Sequence, residues 1–117
     1  MHPSHEGAPR EISATDGAEL VREGAVLLDV REDHEWVAGH APQAIHIAMS
    51  TINQHVADIP TGKTIVCICH VGGRSARVAW ALNQGGWEAM NLSGGMQAWA
   101  EAGLPVVDEQ GAPGFVV

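Results

Sequence analysis

The stretch CHVGGRS, from Cys69 to Ser75, combines residue types that could perform nucleophilic chemistry. Cys69 follows the apolar run 64–68, which predicts a buried strand, and precedes a segment that predicts a helix. Gly72 and Gly73 allow the backbone after the cysteine to curl tightly. Such a curl can point several backbone N–H groups at one place, and the free N–H groups of a helix start add to them. This environment favours the thiolate, which is the reactive form of cysteine.

Arg74 is a second indication that the loop binds an anion. A cation at the beginning of a helix opposes the positive end of the helix dipole, and a residue that breaks a local rule often marks a functional position. An anion held in the loop would remove this conflict, and the Arg74 guanidinium could then contact it. We therefore predict that Cys69 is a nucleophile in an anion-binding loop formed by His70, Val71, Gly72, Gly73, Arg74 and Ser75.

The overall composition restricts the partners of this site. The chain has 117 residues, of which 45% are apolar, and a formal net charge of −8. This length predicts one domain that can bury a stable core without disulfides or metal ions. The negative charge argues against nucleic acid and anionic membrane surfaces as partners. No apolar run approaches the roughly 20 residues that cross a bilayer, and the first residues lack the pattern of a signal peptide.

The two cysteines indicate a reducing compartment. Two are too few for a disulfide framework. Cys67 and Cys69 are two strand positions apart, which is roughly 6.6 Å, whereas bridged Cβ atoms lie about 3.8 Å apart. We therefore expect both to be unbridged, without a joint redox role, in a cytoplasmic protein. Cys67 by itself is expected to be a small buried hydrophobic residue.

The apolar pattern predicts alternating strands and helices, and hence an α/β fold with a parallel sheet. In such a sheet, sites form at the carboxyl ends of strands, where Cys69 is predicted to lie. The helix that begins at Ser75 is apolar nearly all round, so we expect it to be heavily buried. Strands are predicted at 11–13, 25–30, 63–69 and 88–92, and helices at 15–22, 32–38, 50–57, 75–84 and 96–102.

Three segments, in this order, resemble motifs of the rhodanese (sulfurtransferase) family. LDVR at 28–31, followed by Glu35 and Gly39-His40, resembles the family's "LDVR…E…GHIPGA" segment. The Cys69 loop resembles the active-site loop, and NLSGGMQAW at 91–99 resembles the "LxGGxxxW" element. The resemblance covers residues 11–107, which we predict to be the domain. A flexible N-terminus at 1–10 and a C-terminal tail at 108–117 are predicted to flank it.

The resemblance implies a rhodanese-like fold, with a five-stranded parallel sheet and helices on both faces. It implies that the Cys69 thiolate takes the outer sulfur of a donor such as thiosulfate as a persulfide. Cyanide, a thiol or a protein acceptor would then remove that sulfur. Asp29, Arg31 and His40 would support the site structurally. No metal or organic cofactor is implied, and we expect a monomer.

Loop length distinguishes two chemistries that occur on this fold. Related phosphatases have five residues between the cysteine and the arginine, whereas four residues separate Cys69 from Arg74. The shorter loop suits one sulfur atom better than a phosphate group. His70 occupies a position that is often basic in the family. Since histidine is mostly neutral at pH 7, we expect a weaker attraction for dianionic thiosulfate.

Three other interpretations remain open at this point. The cysteines and the seven histidines could bind a metal, although no second ligand pair lies at a familiar spacing. A docking module would bind partners without chemistry, although loss of the cysteine would be its expected sign. A sulfur carrier would deliver its persulfide to one protein in a larger pathway, and the sequence does not distinguish it from a free enzyme.

Overall fold

The computed structural model describes residues 7–117, in which five parallel strands form one sheet with helices on both faces. The spatial order is β1-β5-β4-β2-β3, and every neighbouring pair is parallel. The predicted α/β fold and the five-stranded parallel sheet are therefore confirmed. The elements along the chain are β1 (Arg10–Ile12), α1 (Ala14–Arg22), β2 (Val26–Asp29), α2 (Asp33–Ala38), β3 (Ile45–His46), β4 (Thr64–Ile68), α3 (Gly73–Gln84), β5 (Glu88–Leu92) and α4 (Gly95–Glu101).

The central strand β4 separates two hydrophobic layers. Ile65 and Cys67 point into the layer that contains α3, whereas Val66 and Ile68 point into the layer that contains α1 and α4. All four side chains are fully buried, as expected for a strand that is covered on both faces. The alternation continues to Cys69, which belongs to the α3 layer and is 1% exposed. The residue predicted as nucleophile thus follows the middle strand of the sheet.

The four strands predicted from the sequence are present, and a fifth, β3, was not located by the pattern. It consists only of Ile45–His46, and these two residues pair with Leu28 and Asp29 of β2. A strand of two residues has no alternation that a sequence could display. Its pairing in the folded sheet defines it.

The predicted α-helix at 50–57 is wrong, because this segment forms two 3-10 helices, Met49–Gln54 and Val56–Asp58. The backbone has the i to i+3 hydrogen bonds of a 3-10 helix, such as the one that the His55 N–H donates to the Ile52 carbonyl at 3.0 Å. Several side chains here are β-branched or compete for backbone hydrogen bonds, and both properties weaken an α-helix. Short 3-10 turns are the usual form of such connecting segments.

The prediction that the helix from Ser75 is heavily buried is correct for one face only. α3 begins at Gly73, two residues earlier than predicted, and its opposite face is open. Trp80 on that face is 45% exposed. It lines a groove of about 790 Å³ between α3 and the 3-10 segment. A sheet covers only one side of a helix, and apolar composition alone does not supply a further layer. The buried residues of α3 are Ser75, Val78, Ala79 and Leu82.

The beginning of the chain is ordered earlier than the predicted boundary at residue 11. Pro9 is buried, and Arg10 begins β1 and pairs with Met90. Residues 1–6 of the predicted flexible start lie outside the described residues.

The C-terminal tail at 108–117 returns to the body of the domain through its backbone. The Phe115 N–H donates to the Ala38 carbonyl at 2.8 Å, and Gly114 N–H donates to the Val106 carbonyl at 3.0 Å. Val116 packs against the layer that contains α1 and α4, whereas the ring of Phe115 is 75% exposed. The tail therefore docks at α2, beside the segment that supports the site.

Asp29 and Arg31 form a fully buried ion pair where β2 ends. Nε and Nη2 of Arg31 contact the Asp29 carboxylate at 2.7 to 3.1 Å. The same guanidinium donates to the backbone carbonyls of Glu35 and Gly39, at 3.2 and 2.8 Å. Arg31 therefore ties the sheet to α2 and to the residue that follows it.

We expect Arg31→Met to destabilise the fold by about 3–5 kcal/mol, because it leaves the Asp29 carboxylate buried without its cation. Urea unfolding of both proteins measures this difference. Arg22→Met is the matched control, since Arg22 pairs with Glu19 on the exposed surface of α1 and such pairs contribute little. Equal losses in the two variants would contradict the role given to Arg31.

Candidate active site

The loop after Cys69 turns from β4 into α3 within four residues. Gly72 has φ +112°, in the left-handed region that glycine adopts without steric cost. A Cβ at this position would also lie 3.4 Å from the backbone nitrogen of Gly94 and 3.6 Å from Nδ2 of Asn91. These are ordinary contact distances, so the positive φ of the sharp turn, and not a lack of space, favours glycine here.

Hydrogen-bond donors surround the sulfur atom of Cys69. The Gly72 N–H donates to Sγ at 3.1 Å, and the Ser75 hydroxyl lies 3.2 Å from Sγ. Burial by itself would raise the pKa of the thiol. The Ser75 hydroxyl and the backbone N–H groups of Ser75, Gly72 and Arg74 outweigh this effect and hold the pKa of Cys69 below its usual value. The site favours a thiolate at this position.

The carbonyl groups at the start of the loop point away from the sulfur, toward α4. The Met96 N–H donates to the Cys69 carbonyl at 2.7 Å, and the Gln97 N–H donates to the His70 carbonyl at 3.1 Å. Gly95 makes this approach feasible, because a Cβ there would lie 2.4 Å from the Cys69 carbonyl oxygen. Gly95, the first residue of α4, thus helps to orient the peptide groups of the loop.

Arg74 is paired with Glu35, a partner that the sequence analysis did not assign. Nη1 and Nη2 of Arg74 contact Oε1 and Oε2 of Glu35 at 2.8 and 2.9 Å, which is a bidentate geometry. Glu35 is also fixed by the Glu32 N–H at 3.0 Å, at the first turn of α2. The carboxylate relieves the conflict between Arg74 and the helix dipole without a bound anion. Contact between Arg74 and a donor stays a prediction.

A chain of hydrogen bonds extends from the loop across β5 to β1. Ser75 Oγ lies 2.6 Å from Asn91 Oδ1, and Asn91 Nδ2 donates to the Gly72 carbonyl at 3.1 Å. Nδ2 also lies 3.1 and 3.0 Å from the two carboxylate oxygens of Glu11. No local pattern in the sequence indicated a role for Asn91 or Glu11. They are 80 positions apart, and only the pairing of β1 with β5 brings them together.

The other predicted residues differ in exposure: some are buried in the core, and some lie at the accessible edge of the loop. Cys67 is fully buried, and burial raises the pKa of its thiol, so it lacks the environment of Cys69. Both cysteines are unbridged. Val71 is 59% exposed and His70 is partly exposed, while a Cβ on Gly73 would meet no atom within 4 Å.

Within residues 7–117, no group of three or more potential metal ligands comes together.

Comparison with known proteins identifies the family. Residues 13–102 match the family described as the rhodanese-like domain. The chain belongs to the rhodanese family. A protein of Allochromatium vinosum named sulfurtransferase is 36% identical over 76% of this chain and 84% of its own length. The Bacillus subtilis protein YtwF is 39% identical over 77% of this chain and 89% of its own length.

A solved rhodanese structure has the same fold over most of its length. The crystal structure of a rhodanese-related protein from Thermoplasma volcanium has a TM-score of 0.78 and 35% sequence identity to this chain. The match covers 84% of this chain and 97% of that chain. In the part of the chain that the structure describes, no helix is both long and apolar enough to cross a membrane.

The predicted supports of this rhodanese site connect to the loop through α2. Arg31, paired with Asp29, binds two carbonyls in and after α2. His40 has Nδ1 2.8 Å from the Trp36 carbonyl, and its ring stacks on Trp36 with centroids 3.6 Å apart. The same helix carries Glu35, which holds Arg74. These contacts position the helix whose carboxylate fixes the loop cation.

We expect Gly95→Ala to destabilise the fold and to slow alkylation of Cys69, because the new Cβ displaces the Cys69 carbonyl. Gly103→Ala is the control: both glycines have positive φ, +59° and +79°, but Gly103 faces open space. The control should be destabilised by only about 1 kcal/mol, because its alanine must adopt the left-handed backbone conformation. Urea unfolding and iodoacetamide modification measure the two effects. Equal losses of stability and equal alkylation rates in the two variants would show that close packing of Gly95 against the Cys69 carbonyl is not important.

The ion pair of Glu35 predicts a pH-dependent stability. The hydrogen bond from Arg74, working against burial, lowers the pKa of Glu35 from 4.5 to about 2. The pair therefore contributes stability that is fully present above pH 4.5 and is lost as the pH falls toward 2. We expect Glu35→Gln to be less stable than the native protein at pH 7, with a difference that shrinks below pH 4.5.

Urea unfolding at a series of pH values tests this prediction. Glu19→Gln is the control, since it removes an exposed carboxylate that pairs with Arg22 and should change the acid dependence little. A Glu35→Gln deficit that stayed constant down to the lowest pH would show that charge at Glu35 is not its source.

Proposed function

We propose that this rhodanese-family protein is a sulfurtransferase in which Cys69 carries the transferred sulfur as a persulfide. The observation that supports this most strongly is the set of donors around Sγ, with the Gly72 N–H at 3.1 Å and the Ser75 hydroxyl at 3.2 Å. Four residues separate Cys69 from Arg74, so the loop is small. The relative that is named a sulfurtransferase supports the same activity.

The first half-reaction loads the enzyme. The Cys69 thiolate attacks the outer sulfur of a donor such as thiosulfate and forms a new S–S bond. The bond between the two donor sulfur atoms breaks, and its electron pair leaves with sulfite. The negative charge then lies on the terminal sulfur of the persulfide, where the N–H groups of the loop at 70–75 stabilise it.

The second half-reaction returns the enzyme to its initial state. Cyanide or a thiolate attacks the terminal sulfur, and the electron pair of the broken S–S bond returns to Cys69 as a thiolate. With cyanide the product is thiocyanate, and with a thiolate it is a new persulfide. The covalent intermediate divides one difficult transfer into two easier displacements.

The surroundings of the loop suggest how donor and acceptor are selected. Arg74 is neutralised by Glu35, and the whole chain carries a net charge of −8. Backbone N–H groups therefore provide most of the attraction for a sulfur anion. His70 and Val71 lie at the accessible rim, where we expect them to contact the donor or the acceptor.

We further propose that the protein acts in the cytoplasm as a monomer and uses no metal or organic cofactor. Its partners would be a small sulfur donor and a thiol, cyanide or protein acceptor. Asp29 and Arg31 would maintain the loop through α2, without contact with the transferred sulfur.

Intact mass measurement of the reduced protein after incubation with thiosulfate tests the loading step. We expect a gain of one sulfur atom on Cys69, which added cyanide removes. Cys69→Ser should gain nothing, because it lacks the nucleophile. Cys67→Ser is the matched control and should gain sulfur as the native protein does, because Cys67 is sealed in the core.

A second donor separates the enzyme from a docking module. If neither thiosulfate nor a small organic persulfide adds sulfur to the native protein, the proposal is wrong, and a non-catalytic rhodanese-like module becomes the better interpretation. Loss of sulfur gain in Cys67→Ser alone would instead place the second cysteine in the mechanism.

A further inference from the structure

Asn91 is buried beside the Cys69 loop with its amide in a fixed orientation. Its NH₂ group faces two acceptors, the Glu11 carboxylate and the Gly72 carbonyl, at 3.0 to 3.1 Å. The reversed amide would point its oxygen at both acceptors, which is repulsive. Oδ1 therefore faces the Ser75 hydroxyl, and Asn91 as a whole is 3% exposed, so water does not replace these contacts.

The Ser75 hydroxyl has two acceptors within reach and one proton to donate. Asn91 Oδ1 lies 2.6 Å from Ser75 Oγ, and Cys69 Sγ lies 3.2 Å from it. A hydroxyl group can donate to only one of them at a time. The two acceptors therefore compete for the same proton.

We propose that Asn91 is a positioning residue for sulfur transfer, because its side-chain oxygen accepts the hydrogen bond of the Ser75 hydroxyl whenever Cys69 Sγ is uncharged. This inference rests on the proposed function for its meaning in the cell. It goes beyond that function, since it assigns the residue that controls the hydroxyl beside the sulfur.

The direction of the hydroxyl follows the charge on Sγ through the cycle. In the thiol form, the S–H group can donate to Ser75 Oγ while Ser75 donates to Asn91. When the thiol proton leaves to solvent, the Ser75 hydroxyl turns and donates to the sulfur anion. When Sγ bonds a second sulfur, the charge moves to the terminal atom, and the hydroxyl returns to Asn91.

Asn91 therefore stabilises the thiol and the persulfide relative to the free thiolate. Forming the thiolate breaks the bond between Ser75 and Asn91 and leaves a buried oxygen with one partner fewer, which is costly. Removal of the Asn91 oxygen removes that cost. The thiolate should then form at lower pH, and the persulfide should lose part of its advantage over the thiolate.

Other charges near Cys69 stay constant when Asn91 is changed. Arg74 on α3 interacts with the sulfur charge and is paired with Glu35 on α2. Cys67 on β4 interacts with it, and burial keeps Cys67 neutral because its pKa is raised. Glu11 on β1 lies behind Asn91 and keeps a second donor, the Ser93 hydroxyl at 2.7 Å. The effects of these groups on the pKa of Cys69 are the same with and without the Ser75 hydroxyl. They therefore cancel when the Asn91 substitution is compared in the two backgrounds.

The test is the pH midpoint of Cys69 alkylation by iodoacetamide, with the modified residue located by peptide mass. Four proteins form the cycle: native, Asn91→Leu, Ser75→Ala and the double variant. We expect Asn91→Leu to lower the midpoint by roughly 0.5 to 1 pH unit, the size of one lost hydrogen bond. In the Ser75→Ala background the same change should give no further shift. Ser75→Thr keeps the hydroxyl, so the shift should remain there.

Two results would overturn the proposal: an unchanged or raised midpoint in Asn91→Leu, or an equal shift in the Ser75→Ala background. The equal shift would mean that Asn91 acts only by anchoring the Gly72 carbonyl. If Asn91→Leu does not fold, Glu11→Ala serves in its place, because Glu11 is exposed and orients the amide. Its shift should have the same direction, be smaller, and depend on Ser75; a shift independent of Ser75, or none, counts against the proposal.

This measurement needs no sulfur donor, so it is independent of the proposed activity. A native protein that gains no sulfur from any donor would refute the sulfurtransferase assignment and leave the alkylation result to decide the role of Asn91. Where sulfur is gained, Asn91→Leu should hold a smaller persulfide fraction than the native protein at equal thiosulfate and sulfite.

Discussion

The site depends on the orientation of the peptide groups that follow Cys69. A sulfur anion at the end of a buried central strand is stable only if donors replace the water it has lost, and the loop N–H groups are those donors. The N–H groups that act on the sulfur belong to Gly72, Arg74 and Ser75, and the two peptide groups before them are held by α4. The carbonyls of Cys69 and His70 accept from the first turn of α4, whose N–H groups lack partners within their own helix. The loop carbonyls and the N–H groups of α4 are therefore each other's hydrogen-bond partners.

Two further connections hold the loop from its sides. On one side, the buried pair of Asp29 and Arg31 anchors α2, and α2 presents Glu35 to Arg74. This pairing fixes the loop cation in the structure and compensates its charge. On the other side, Asn91 contacts the Ser75 hydroxyl and the Gly72 carbonyl and connects them to the Glu11 carboxylate on the edge strand β1. The positive character of the site thus comes mainly from backbone dipoles, in a protein whose net charge is negative.

The strands of the core and the position of Cys69 could be predicted because their signals are local. A run such as 64–68 is apolar on both faces and predicts a strand between two layers, and the glycines after Cys69 predict a turn. The segment at 45–46 had no such signal, because two residues become a strand only by pairing with β2. The segment at 50–57 had helical spacing but not the α-helical hydrogen bonds, because side chains there disfavour that backbone.

The sequence by itself determined the chemistry of the loop: a cysteine after a buried strand, a sharp glycine turn, and a helix whose N–H groups face the turn. Only the tertiary structure decided what surrounds that chemistry. Glu35 and Arg74 are 39 positions apart, and Glu11 and Asn91 are 80 positions apart. Hydrogen bonds and ion pairs act over a few ångströms, so partners this distant along the chain are selected by strand order and helix packing, which no local pattern specifies.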